Sequence, residues 1–238
     1  MANKESNSYT IIYSITMVVV VGTILAALSI ILKPAQDANA VIKKKMDILA
    51  AVGITAQRTT ADKLYTKHIV SAKSIVIDKD GELRVGIDPF NVDIQAQYKN
   101  KTLKPSDFNY PLFVAINAKG DTNYIVPVVG VGLWGPIWGY LSLKDDRKTI
   151  SGASFDHKTE TPGLGAEINQ PFFEDRWIGE EVTESGFTVV KDNSGSEPGK
   201  IDGITGGTIT SKGVEEMMNR CMPIYLSYFT KTTKTAKL

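Results

Sequence analysis

The chain has 238 residues with a formal net charge of +1, 42% apolar and 22% charged, enough apolar material for one sizeable core and too much for wholesale disorder. No basic stripe of the kind nucleic acid recruits is present, so no nucleic-acid partner is expected. One cysteine, Cys221, excludes an intrachain disulfide, and with only His68 and His157 a zinc or iron–sulfur centre lacks its usual ligands. Redox chemistry here would need an organic cofactor.

After a short tail over residues 1–9, Thr10 to Leu32 carries no charge. At about 1.5 Å per residue a helix over this stretch spans roughly 35 Å, enough for a hydrocarbon core of about 30 Å. A helix crossing the lipid bilayer is therefore expected over 10–32, with Lys33-Pro34 as its stop. A cleaved signal peptide, with Ala38-Asn39-Ala40 as cleavage site, fits less well, because signal cores run about 7–15 residues and the front end has only Lys4 against Glu5. A buried core helix is the other alternative. Positive charge is heavier after the segment, at Lys33 and Lys43 to Lys45. Taken alone, this puts the following domain in the cytoplasm, although the charge rule is weak for long domains.

Residues 33–72 read as a helical connector. Asp37 is placed to cap a helix running to Val52, with Gly53 as its stop, an apolar face of Val41, Ile42, Met46, Leu49 and Val52, and Lys43 to Lys45 on a solvated face. A second helix is expected over Ala61 to Val70, opened by Thr59 or Thr60.

Residues 73–230 read as one folded domain. Ser74–Asp78 and Glu82–Ile87 flank a turn at Lys79-Asp80-Gly81; Leu112–Asn117 pairs with Asn123–Val129, and Gly139–Leu143 with Thr149–Phe155. Phe187–Val190 is a further strand, and Asp192–Lys200 a polar loop. Strands in the middle with helices toward both ends predict an α+β fold with a mainly antiparallel sheet. The last helix is expected from near Ser211, with Glu215 and Glu216 in or near its first turn and Val214, Met217, Met218, Cys221 and Tyr225 on its core face. Pro223 should kink or end it, and 231–238 should be a flexible basic tail.

Three stretches stand out. In Asp202-Gly-Ile-Thr-Gly-Gly-Thr-Ile-Thr-Ser211, Gly206 and Gly207 allow close backbone approach, Thr208 presents a hydroxyl, and the following helix offers unpaired N–H groups that favour an anion; Lys212 could add charge. By physics alone the segment reads first as a glycine-rich turn into a capped helix. It has neither the Walker Lys-Ser/Thr pattern nor the Rossmann spacing. Gly130 to Tyr140 sets Trp134 and Trp138 among four glycines and a proline, which suits either a flat apolar ligand or a tight packed turn. His157 to Gly165 is a Thr/Gly/Pro loop containing Glu160.

Together, and in this order after an apolar N-terminal segment, these motifs resemble the FMN-binding domain family shared by the C subunits of the sodium-translocating NADH:quinone oxidoreductases and the G subunits of the Rnf complexes. The resemblance covers nearly the whole chain. The family's Ser/Thr-Gly-Ala-Thr motif, whose last Thr carries FMN as a phosphoester, matches Thr205-Gly206-Gly207-Thr208, with Gly207 in place of Ala. The Trp134 stretch is closer to the quinone-reductase branch, although Val131 and Gly135 stand where Lys and Ser are expected. Glu160-Thr161-Pro162-Gly163-Leu164-Gly165 matches the loop that approaches the isoalloxazine ring.

The resemblance implies a membrane-anchored electron carrier with FMN covalently held on Thr208, working with the other subunits of a bacterial inner-membrane complex. It implies Trp134, Thr161 and Leu164 near the ring, with the N–H groups of Gly163 and Gly165, and Thr205 and Thr210 toward the phosphate. His157 and Glu160 are expected to share an ordinary hydrogen bond rather than act as a pH-linked pair. No dedicated base stands beside Thr208 in sequence, Asp202 being the nearest carboxylate. Attachment is therefore expected from a separate flavin transferase using FAD and Mg²⁺. The family implies a periplasmic FMN domain, against the local charge count. The alternatives are the Rnf counterpart, which couples ferredoxin to NAD, and a non-redox binding or assembly module. A hydrolase lacks a nucleophile elbow.

Overall fold

The computed structural model describes residues 6–192 and 194–235. Two compact units divide the chain, one ending at Lys44 and one beginning at Lys45.

Helix α1 spans Asn7–Ala50, 44 residues without interruption. The break expected at Lys33-Pro34 does not occur, and Asp37 is a helix-interior residue, not a cap. Pro34 removes one N–H donor, but good helix formers flank it at Ala35, Gln36, Ala38 and Ala40, and a Lys33–Asp37 pair at i,i+4 spacing spans the turn. No residue of its apolar window is buried.

In the second unit, the end of α1 packs inward through Ile48, Leu49 and Ala51. Only Leu49 of the expected face is fully buried, and Val41 is exposed. The helix stops where Gly53 takes φ +73°. Gly53 N–H donates to Ala50 C=O at 2.8 Å and Ile54 N–H to Leu49 C=O at 3.0 Å, a Schellman cap. Lys45 is not simply solvated: it pairs with Asp62 at 2.7 Å and lies over the rings of Tyr65 and Phe90. Helix α2, Ala61–His68, ends two residues early because Ile69 bridges to Ala115 and Val70 N–H donates to Val114 C=O.

The sheet has the order β2-β1-β3-β4-β5-β6, antiparallel throughout. Its strands are β1 Ile75–Ile77, β2 Leu83–Arg84, β3 Tyr110–Ile116, β4 Thr122–Val131, β5 Pro136–Leu143 and β6 Ile150–His157. The three expected hairpins are present, and β4–β5 adds the longest pairing, from Tyr124↔Leu143 to Val131↔Pro136. The expected strand to Ile87 ends at Arg84, since Gly86 takes φ +85°. A short helix α3, Ile94–Lys99, capped by Asp93, was not anticipated.

Both sheet faces are covered. Leu112, Val114, Val126, Val128, Leu141 and Leu143 face the larger core; Phe113, Ala115, Ile125 and Tyr140 face a smaller one with Ile48, Ala51 and Ile69. This is period-two alternation with an apolar residue on each side. Helix α4, Pro171–Glu174, supplies Phe173 to an aromatic cluster with Phe155 and Trp177. β7 Thr188–Val190 pairs in parallel with β8 Lys200–Asp202, so the expected polar loop ends at Gly199.

Helix α5, Thr208–Thr235, begins three residues earlier than expected and runs back along β4. Glu215 and Glu216 therefore lie two turns in, and its first turn holds no acid. Val214, Met217, Met218, Cys221 and Tyr225 are all buried, as their spacing predicts. Burial pushes the Cys221 thiol up, as befits a core position. Pro223 does not end the helix. A helix-interior proline costs about 3 kcal/mol, whereas burying Met222, Tyr225 and Phe229 returns roughly 1.5–3 kcal/mol for each large side chain. The expected tail is helical to Thr235; residues 236–238 lie outside the described residues.

Candidate functional site

At one end of the sheet, β4 and β5 are joined by a glycine hairpin in which Gly132 N–H donates to Gly135 C=O at 2.8 Å. Beside it lie the loop after β6 and the start of α5. The three stretches singled out in sequence meet here around a cleft of about 220 Å³, lined by Leu133, Trp134, Glu160, Thr161, Leu164, Gly165, Gly206, Gly207, Thr208, Ile209 and Thr210.

The α5 start is built by its own sequence. Gly207 C=O accepts the first helical bond, from Ser211 N–H at 2.9 Å, which makes Gly207 the N-cap. With no side chain it leaves the N–H groups of the next residues without a cap. Gly206 takes φ +77°, which requires glycine there. Ser211, fully buried, ties the turn together: its hydroxyl accepts from Ile204 N–H and donates to Gly207 C=O, both at 3.0 Å. Nothing in the sequence marked Ser211 for this beyond its place at the expected helix start.

Thr208 is the first residue of α5, half-buried, and lines the cleft. Its hydroxyl makes no hydrogen bond among the described residues. Thr205 is exposed and outside the cleft lining. Thr210 is 1% exposed and donates to Glu160 Oε2 at 2.6 Å. Lys212 does not line the cleft, because Glu215 takes its ammonium at 2.5 Å. Asp202 accepts from Gly195 N–H at 3.1 Å and does not line the cleft.

In the loop after β6, Glu160 is 5% exposed and its other oxygen accepts from Trp134 N–H at 2.7 Å. Its backbone N–H donates to His157 Nδ1 at 3.2 Å, so the His157–Glu160 contact is an ordinary hydrogen bond through the main chain. Thr161 C=O accepts from the N–H groups of Leu164 and Ala166, both at 3.1 Å. Gly163 N–H does not face the cleft as expected: it donates to Glu167 Oε1 at 2.8 Å, and Gly163 is not part of the lining. Gly165 is buried and lines the cleft.

In the hairpin, Trp134 lines the cleft with its residue 65% exposed, while Trp138 lies inside β5 and away from it. Thr159, missed in sequence, donates its hydroxyl to Trp134 C=O at 3.0 Å. A Cβ at Gly135 would lie against that same hydroxyl. Leu133 and Ile209 join Trp134 and Leu164 as exposed apolar side chains around the cleft, unmarked by any sequence signal.

The family model of an FMN-binding domain matches residues 132–222, which contain every residue that lines the cleft. The Na(+)-translocating NADH-quinone reductase C subunit of Pseudomonas aeruginosa is 28% identical, with 92% of each chain covered. The crystal structure of the same C subunit from Parabacteroides distasonis matches with a TM-score of 0.73 and 34% identity, covering 84% of this chain and 97% of that one. Shewanella oneidensis NqrC, at 21% identity, shares the fold with a TM-score of 0.70, over 83% of this chain and 99% of its own. This chain belongs to the family of the C subunits of the Na(+)-translocating NADH-quinone reductases.

Proposed function

We propose that this chain is an electron-carrying subunit of a sodium-translocating NADH:quinone oxidoreductase, with FMN attached through its phosphate to Thr208. Support for the quinone reductase over the Rnf alternative comes from the names of its relatives. The observation that carries the attachment is local. Of the hydroxyls in the first turn of α5, those of Thr210 and Ser211 are committed to protein partners and that of Thr208 is not.

The residues fit the group. Gly207 leaves the α5 N–H groups open to a phosphate, and the helix dipole favours its charge. Trp134, Leu133, Leu164 and Ile209 offer apolar surface for a flat ring. When bound, FMN supplies reversible electron uptake and release, which no side chain here offers. The cleft, at about 220 Å³, is smaller than the roughly 300–1,000 Å³ of sites that enclose a small molecule. A group held there stays open to redox partners, as a carrier requires.

Thr208 has no base of its own, since Glu160 and Asp202 are both engaged. A weak hydroxyl nucleophile then needs outside activation, which supports loading by a flavin transferase that uses FAD and Mg²⁺. The wholly exposed apolar window of α1 supports a single-pass anchor in the bacterial inner membrane over residues 10–32, followed by the connector and the FMN domain. We place that domain on the periplasmic side.

Co-expression with a flavin transferase tests the attachment. The wild-type chain should gain the mass of one FMN less water and fluoresce on a denaturing gel, and Thr208→Ala should keep the bare polypeptide mass. A wild-type chain of bare mass, or a fluorescent Thr208→Ala, refutes it. Protease added to spheroplasts should digest the domain; protection would reverse the topology.

A further inference from the structure

Glu160 lines the cleft, but both oxygens of its carboxylate are taken by donors of the protein. Oε1 accepts from Trp134 N–H at 2.7 Å, and Oε2 accepts from the Thr210 hydroxyl at 2.6 Å. One carboxylate thus joins three segments far apart in sequence: the β4–β5 hairpin, the loop after β6 and the first turn of α5. The backbone is shaped around it. A Cβ on Gly132 would stand 2.7 Å from Oε1, and one on Gly165 would overlap Oε2 and the Thr210 hydroxyl together. The Trp134 peptide is held from both sides, by Glu160 at its N–H and by the Thr159 hydroxyl at its C=O.

The consequence falls on Thr208. Thr210 is two residues further on, about 200° around the helix. Fixing its hydroxyl on Glu160 fixes the rotation of that turn and withdraws Thr210 from competition as an acceptor. Resting on the attachment reading above, we infer that Glu160 is the positioning residue of this site. It sets which hydroxyl of the α5 turn is presented and where the Trp134 wall stands against it. The reaction it serves forms one bond, Thr208 Oγ1 to the FMN phosphorus. The bond from that phosphorus to AMP in FAD breaks, AMP leaves, and the hydroxyl proton passes to the transferase or solvent.

The test uses the full chain co-expressed with a flavin transferase, following loading over time by intact mass and locating the flavin by peptide mapping. Glu160→Ala should slow loading of the folded protein about a hundredfold, the scale of an ångström-sized misplacement. Thr210→Val, which keeps the side-chain volume, should slow it about tenfold on the same grounds. Glu160→Gln can still accept from Trp134 N–H and hydrogen-bond the Thr210 hydroxyl, so it should restore loading to within about threefold of wild type. If Glu160→Ala does not fold, Thr210→Val and Glu160→Gln decide. Wild-type loading in Thr210→Val, or loss in Glu160→Gln equal to that in Glu160→Ala, overturns the positioning role and leaves Thr208 as acceptor. Flavin mapped elsewhere in the wild type overturns both.

Discussion

The two ends of the sheet are closed by different kinds of contact. At the end away from the cleft, each hairpin turn closes itself. Asn117 Oδ1 accepts from the N–H groups of Lys119 and Asp121, both at 2.9 Å, and Asp146 accepts from the N–H groups of Lys148 at 3.0 Å and Thr149 at 2.8 Å. All of these partners lie within four residues. At the cleft end, local bonds at Gly132 and Ser211 are joined by others that cross 26 residues from Glu160 to Trp134 and 50 from Glu160 to Thr210. The 144–149 turn is also held from further off, by Val182 N–H on Lys148 C=O and by the Lys148–Glu181 pair, but its shape is set by bonds within itself, whereas the cleft needs Glu160 to join three segments. The far end should therefore govern stability and the cleft end should govern loading.

Three substitutions bear on that division. Leu143→Ala empties a fully buried position at the far end of β5 and should cost about 2–5 kcal/mol, read as the urea midpoint. Loading of the protein that remains folded should match wild type, because roughly 23 Å of strand separates Leu143 from Pro136 at the cleft. Lost loading in that folded fraction would end the separation. Gly165→Ala sets a methyl group against Glu160 and Thr210; overpacking of this kind costs about 1–3 kcal/mol. Here loading should fall along with the midpoint, and a variant that is destabilised yet loads normally would show that the clip tolerates displacement.

The smallest effect is expected at Asp146. Partial burial alone would raise this carboxyl, but hydrogen bonds from the Thr149 hydroxyl and the Lys148 and Thr149 N–H groups outweigh it, and the folded value lies below the ordinary one. The sign follows from linkage: the turn's contribution is fully present above the ordinary aspartate value of about 3.9 and is lost as pH falls through the lower folded value. Asp146→Asn should flatten the acid side of the stability profile between those two values and leave flavin loading unchanged. An unchanged acid limb would remove Asp146 from the account of the turn.

Much of this was legible from neighbours in the chain. The apolar stretch of α1, the three hairpins and the buried face of α5 follow from patterns within a turn or a strand, where local geometry and burial agree. The Gly206-Gly207-Thr208 segment stood out because glycine pairs before a helix are locally unusual. Short elements were missed for the converse reason. β8 exists because Val189 and Ile201 pair in parallel, and three residues carry too little periodicity to announce a strand.

By itself, then, the sequence determined the long helices and the three hairpins, the buried face of α5 and the three stretches that carry the unusual residues. Tertiary structure decided the rest. It let α5 run through Pro223 against the core and brought Glu160 to Trp134 and Thr210. The reason is range. A side chain's partners within a few residues are fixed by backbone geometry, but its partners 26 or 50 residues away exist only once the sheet and α5 have packed.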